Sequence, residues 1–265
     1  MATDHSIDGA ALGMLLRKLR LPSFNALHLE TAALAAKDGW TFEKYLKHLA
    51  ETELADRDRR RIERNLVQSQ LPGEKTLATL DLDKLPRKVR TSLPALCEGD
   101  FVERAENLLV FGLPGRGKSH TCCAIGHELI QRGYRVLFQP TFRLVQQLLI
   151  AKRDLLLERA LRHLDGFDAI ILDDIGYVQQ SREEMEVLFT FLAERYERRS
   201  VIITSNLVFS KWDKIFKDPM TTAAAIDRVL HHSHILEMEG PSVRAEHAEL
   251  RNPKRKASST ETKND

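Results

Sequence analysis

The run Gly112-Leu113-Pro114-Gly115-Arg116-Gly117-Lys118-Ser119 has the spacing G-x-x-x-x-G-K-[ST], and its residue types suit one chemistry, the binding of a polyphosphate. Glycines at 112, 115 and 117 allow backbone angles that a Cβ disfavours and let main-chain N–H groups approach an anion closely. A helix beginning at Lys118 adds the partial positive charge of its N-terminus. Lys118 can reach β- and γ-phosphate oxygens, and Ser119 offers a hydroxyl to Mg²⁺. Residues 112–120, with His120 following the hydroxyl, form the expected cradle for ATP. Further along, Ala169-Ile-Ile-Leu-Asp-Asp174 is an apolar run that ends in two acids. Asp173 is expected to face the metal and Asp174 the attacking water. The run Ser200-Val-Ile-Ile-Thr-Ser-Asn206 ends in Thr204, Ser205 and Asn206. Asn206 could hydrogen-bond the water or the γ-phosphate, or could instead cap a turn.

A sheet must bring these ends together, and the hydrophobic pattern supplies one. From residue 105 onward the short β-rich runs LLVFG, RVLFQ, AIILDD, SVIITSN and HILEM alternate with amphipathic stretches such as EEMEVLFTFLAERYER. That alternation predicts an α/β fold, a mostly parallel sheet covered by helices on both faces. Before residue 105 the chain reads as helices only. Leu12, Leu15, Leu16 and Leu19 make one apolar stripe, and Phe42, Tyr45, Leu46 and Leu49 a second, continuing through Ile62 and Leu66 on a long charged helix. Four segments follow: a small all-helical N-terminal domain over 1–75, a connector over 76–104 marked by Pro86, the nucleotide-binding domain over 105–250, and a basic tail over 251–265 expected to be disordered.

With 265 residues, 43% of them hydrophobic, the chain can bury a full α/β core and leave a small second domain. The formal charge of +2 is nearly balanced, although Arg251, Lys254, Arg255 and Lys256 concentrate positive charge in the tail. Three cysteines, two of them adjacent at 122 and 123, offer neither a disulfide framework nor metal-ligand spacing, which points to a reducing, cytoplasmic setting. No apolar run reaches transmembrane length, so no membrane partner is expected. HHSH at 231–234 has no further ligand spacing beside it, and its histidines are expected in the core or on the surface.

Together GLPGRGKSH, AIILDDIGY, YERRSVIITSNLVFSKW and AAAIDRVLHHSHILEM resemble the IstB-like branch of the AAA+ ATPases, helper proteins of insertion sequences related to the DnaC-type helicase loaders. W-x-F-x-x-Y-L-x-x-L followed by E-x-x-x-x-R-D-x-R-R resembles the same family's helical domain, so the resemblance covers most of residues 10–245. It implies an ATPase that forms an ATP- and DNA-dependent homo-oligomer on double-stranded DNA, recruits and activates a cognate transposase and influences target choice. It also places an arginine finger at Arg228, with Arg198 and Arg199 as rival donors. The chain departs from the usual Asp-Glu pair in having Asp173-Asp174. The shorter second carboxylate implies slow hydrolysis. The residues after the last expected strand are too few and too polar for the helical lid that carries a second sensor arginine in many relatives; Arg244 could approach the nucleotide, though a surface position is the expected one. A helicase loader would share the whole ATPase core. A small-molecule P-loop kinase is disfavoured by the Thr-Ser-Asn strand end and by the lack of an acceptor-binding lid.

Two basic segments are candidate DNA contacts. Arg57, Arg60, Arg61 and Arg64 lie among acids in a run that on a helix usually makes a solvated, salt-bridged face. Lys84, Arg87, Lys88 and Arg90 occur in KLPRKVR, which contains no acid. Neither segment has the aromatic interleaving of a single-strand stacking platform, so both predict contact with the phosphate backbone of a duplex, independent of sequence.

Overall fold

The computed structural model describes residues 11–177, 181–207 and 229–239. The chain forms two compact units, Met1–Arg64 and Asn65–Asp265. Arg228, Arg244 and the tail over 251–265 lie outside the described residues.

The first unit is helical: α1 (residues 11–18), α2 (Pro22–Lys37) and most of α3 (Phe42–Ser69). Pro22 occupies the first turn of α2, where its missing N–H costs no helical hydrogen bond. The expected apolar stripes are only partly buried. Leu16 and Leu49 are buried, whereas Leu12, Leu15, Leu19, Phe42 and Leu46 are exposed. A polar anchor joins the two longer helices instead. Glu53 on α3, only 3% exposed, accepts the Ser23 backbone N–H at 2.8 Å, and Asp56 accepts the Ser23 hydroxyl at 2.7 Å. Two carboxylates thus sit at the N-terminus of α2, where they complement its dipole. Burial pushes the Glu53 carboxyl up, but hydrogen bonds from Arg57 and Ser23 outweigh it and the net pKa lies below the ordinary value.

The second unit begins at Asn65 within α3 and includes the segment over 76–104 expected to be a connector, which is folded. It contains 3₁₀ turns at Leu77–Thr79 and Leu82–Lys84, then α4 (Arg87–Glu98) and α5 (Asp100–Glu103). Val89, Leu93 and Leu96 on α4 are buried at helical spacing, with Pro86 at the N-cap and Pro94 inside the helix. Pro86, which reads as a connector marker, here precedes a packed helix that Pro94 interrupts.

Five strands follow where the apolar runs predicted them: β1 (Asn107–Phe111), β2 (Val136–Pro140), β3 (Ala169–Asp173), β4 (Ser200–Ser205) and β5 (Ser233–Glu237). All pairings are parallel, in the order β2-β3-β4-β1-β5. The period-2 alternation divides the strand residues between two faces. Leu109, Phe111, Ile170, Leu172, Val201 and Ile203 join a core with α7 (Thr141–Arg153), α8 (Leu157–Asp165) and α9 (Arg182–Arg195). On the other face α6 (Lys118–Gln131) packs so closely that a Cβ on Gly126 would lie 2.9 Å from Ile171 Cδ1. Ser181 starts α9 with a capping box, its hydroxyl accepting from Glu184 N while the Glu184 carboxylate accepts from Ser181 N.

Arg195 ends α9 inside the core at 2% exposure. Its guanidinium donates to the carbonyls of Leu164 (3.0 Å), Phe167 (2.9 Å) and Ser200 (3.0 Å), joining α8, the entry to β3 and the start of β4. Burial pushes its pKa down to about 9, so it stays charged at neutral pH. Arg195→Met keeps the apolar stem but leaves these carbonyls without their donor. It should cost on the order of 2–4 kcal/mol, and the melting temperature should fall by about 5–10 °C. A thermal midpoint within about 2 °C of the parent would show that the carbonyls find other partners.

Candidate functional site

The carboxyl ends of β1, β3 and β4 lie side by side, because β4 stands between the other two. The loop leaving β1 reaches α6 through Gly117, whose left-handed φ of 83° sets the N-cap of that helix. Gly112 has a different constraint. A Cβ there would approach the Met238 carbonyl oxygen to 2.5 Å, because the segment after β5 runs against the loop. Arg116 reaches the same carbonyl at 3.2 Å, while Leu113 and Pro114 are exposed at the loop's outer edge. Gly115 has φ 82° and stands between them and Arg116. Lys118 is buried, and its Nζ donates to the Leu113 carbonyl at 3.0 Å. An incoming phosphate oxygen would compete for that ammonium as a charged acceptor against a neutral one, an exchange that favours the phosphate. His120 points away from the loop: its Nε2 lies 3.1 Å from Thr79 Oγ1 and 3.2 Å from the Thr76 carbonyl oxygen. It thereby ties the first turn of α6 to the segment before α4.

Asp173 joins the three strands. Its Oδ1 accepts the Ser119 hydroxyl at 2.6 Å and the Thr204 hydroxyl at 2.7 Å. Thr204 Oγ1 in turn accepts the Asp174 backbone N–H at 2.8 Å, and the Thr141 hydroxyl donates to the Asp173 carbonyl at 3.0 Å. Thr204 and Thr141 fix both acids. In the sequence, Thr204 read only as part of a polar strand end, and Thr141 carried no signal because its partner lies two elements away. Asp174 sits directly beyond β3 with a left-handed φ of 64°, a conformation seldom adopted outside glycine that turns the chain away from the strand. Asn206 Oδ1 is buried with no hydrogen-bond partner among the described residues. A Cβ on Gly176 would lie 2.2 Å from that oxygen, so only glycine lets Asn206 approach this closely.

The donor set fits a hard divalent cation. Ser119 gives its proton to Asp173, which leaves the lone pairs of its oxygen for a metal. Mg²⁺ takes one or two protein oxygens and completes its shell from phosphates and water. Ser119 and Asp173 would hold that ion, and Lys118 with the backbone N–H groups of 115–119 would hold the phosphates. The neighbouring thiols take no part. Burial raises Cys122 well above the ordinary thiol pKa and Cys123 to about 12, so neither supplies a thiolate.

Other expected residues lie elsewhere. Arg198 pairs with Asp165 at 2.7 Å and Arg199 with Asp168 at 2.7 Å, both near the amino end of β4 and away from Asp173. Arg57 pairs with Glu53, Arg60 with Asp56 and Arg61 with Asp58, while Arg64 Nε donates to the Arg60 carbonyl. The acid-free look of KLPRKVR is a local one. Lys84 meets Asp81 and Arg90 meets Asp83, and Arg87 and Lys88 are exposed in the first turn of α4. Thr204→Val preserves shape but removes a donor to Asp173 and an acceptor for Asp174 N–H. Chemical denaturation should report a loss of about 1–3 kcal/mol, most of it recovered by Thr204→Ser. An unchanged midpoint would remove Thr204 from the network.

Comparison with known proteins agrees with this arrangement. The family described as "IstB-like ATP binding protein" matches residues 14–250. An insertion-sequence ATP-binding protein of Sinorhizobium fredii, y4iQ/y4nD/y4sD, is 45% identical over 241 residues, covering 91% of this chain and 81% of that protein. The insertion sequence IS21 ATP-binding protein of Pseudomonas aeruginosa is 39% identical, with 88% of each chain covered. Among solved structures, DnaI superposes with a TM-score of 0.53 at 22% identity, over 66% of this chain and 95% of that one. AMPPCP-bound DnaA from Aquifex aeolicus superposes with a TM-score of 0.53 at 18% identity, over 70% and 56%. These two likenesses establish an AAA+ fold. With that fold, a complete phosphate loop and a match over most of its length, the chain belongs to the IstB-like ATP-binding protein family.

Proposed function

We propose that this chain is an ATP-dependent helper ATPase of transposition. It binds double-stranded DNA through the phosphate backbone, assembles there as a homo-oligomer, recruits and stimulates a cognate transposase, and so influences target selection. The observation that carries the reading is the hydrogen-bonded junction of Ser119, Asp173 and Thr204 at the head of the phosphate loop. It presents a hydroxyl, a carboxylate and Lys118 where a triphosphate and its cation would sit. The insertion-sequence names of the relatives favour transposition over helicase loading, because the likeness to DnaI concerns the fold alone.

Within this reading Asp174 activates the attacking water, and the buried Asn206 oxygen orients it. Mg²⁺ when bound would neutralise charge on the phosphates. Arg228 would enter a neighbour's site as an arginine finger, and the ion pairs that hold Arg198 and Arg199 in their own chain support it over those rivals. Among the basic segments, α4 is the better candidate for DNA. Arg87 and Lys88 stand in the first turn of a helix, where their charge adds to the dipole instead of opposing it, and both attract phosphate. The arginines of α3 are largely engaged with acids and side-chain or backbone oxygens. Among the described residues no helix is long and apolar enough to cross a membrane.

Asp174→Asn tests the assignment, since it removes the base and keeps size and hydrogen bonding. ATP should bind within about threefold of the parent while hydrolysis falls by about 10²-fold or more. The trapped ATP state should remain on duplex DNA, and that binding should weaken steeply with added salt. Hydrolysis at the parental rate would move water activation to another residue. Binding indifferent to salt would contradict backbone recognition.

A further inference from the structure

Far from the phosphate loop, at the amino ends of β4 and β5, the fold brings a glutamate beside two adjacent histidines that are distant from it in the sequence. Glu197 precedes β4, and His231 with His232 precedes β5. One ligand atom from each of the three lies within 4.8 Å of the other two, and all three side chains are exposed. The His231 Nδ1 to Glu197 Oε1 distance is 3.8 Å, and the two imidazole rings are centred 3.9 Å apart. In a tetrahedral zinc site, bonds of about 2 Å set ligand atoms roughly 3.3 Å apart. Exposed side chains can close that difference by small rotations without moving the backbone.

The backbone carrying the histidines is itself anchored. Val229 is buried, and its carbonyl accepts from Asn107 Nδ2 at 3.2 Å and from the Ser233 hydroxyl. The Tyr196 hydroxyl lies 2.8 Å from His231 Nδ1; an ion at Nδ1 would replace this hydrogen bond, whereas an ion at Nε2 would leave it as the outer contact that orients the ring. Glu197 and His232 both adopt left-handed conformations, φ 55° and 59°, where glycine would be the unstrained choice. Arg198, next along the chain, is paired with Asp165 and Glu194. The nearby His234 lies 2.8 Å from Glu106 and is engaged there.

We propose that Glu197, His231 and His232 form a binding site for a borderline divalent cation, with Zn²⁺ the best fit. Two imidazoles and one carboxylate match its ligand preference and leave a fourth position for water. The bound ion cross-links the entry to β4 with the entry to β5, which flank β1 on its two sides. Occupancy therefore fixes the turn at His231–His232, which begins three residues beyond Arg228 in the sequence.

The test is calorimetric titration of the full-length protein with Zn²⁺, repeated with Co²⁺ while its visible absorption is followed. One ion should bind per chain, and the thermal midpoint should rise with metal concentration, as mass action requires. Glu197→Gln, His231→Gln and His232→Gln should each weaken binding by at least about tenfold, whereas His234→Gln should not. Metal-free unfolding curves that match the parent will show that each variant is folded. The proposal is overturned if the parent binds no ion more tightly than about 1 mM. It is equally overturned if any one of the three ligand substitutions leaves affinity and stoichiometry unchanged, or if His234→Gln abolishes binding.

Discussion

One carboxylate oxygen holds the functional end of this protein together. Asp173 Oδ1 accepts two hydroxyl protons, from Ser119 in the first turn of α6 and from Thr204 on β4, while belonging itself to β3. Adjacent strands of a parallel sheet are already aligned by their ladders, but their loops are not. The two short hydrogen bonds extend that alignment beyond the sheet and set the phosphate loop against the acids. Charge-assisted bonds of this kind are roughly twice as strong as neutral ones, so a nucleotide would meet a geometry largely arranged in advance. Preorganised donors and acceptors contribute most where they need not reorganise as charge develops.

Arg195 and Glu53 apply the same principle in the two compact units. Each is a charged side chain almost wholly buried, and each is satisfied mainly or partly by backbone groups. Such groups are costly to bury unless paired, and once paired they admit few alternative arrangements. In the first unit the polar anchor between Ser23, Glu53 and Asp56 stands where an apolar seam was expected, and several leucines of α1 and α3 remain exposed. Charge on the arginine-rich part of α3 is likewise balanced locally, which leaves the first turn of α4 as the more accessible basic surface.

Much of this was legible in the sequence because it is local. β1, β3 and β4 are mainly runs of β-branched and aliphatic residues, and the phosphate loop is a contiguous motif whose glycines have a steric reason. The remainder depends on partners distant in the chain. Gly112 is required by Met238, Gly176 by Asn206, and Thr141 reads as an ordinary helix-start residue until β3 places the Asp173 carbonyl above it. Pro86 concealed α4, since it reads as a connector marker although a buried stripe follows it. Glu197 could not be associated with HHSH before β4 and β5 were known to flank β1.

The central claim is that this junction is a nucleotide site with Lys118 as its principal cation. Isothermal titration of ATP into the parent protein and Lys118→Ala, with and without Mg²⁺, tests it most directly. The account predicts one ATP per parent chain, bound more tightly with Mg²⁺, and no measurable binding to the variant. Equal affinity in the two proteins would contradict it.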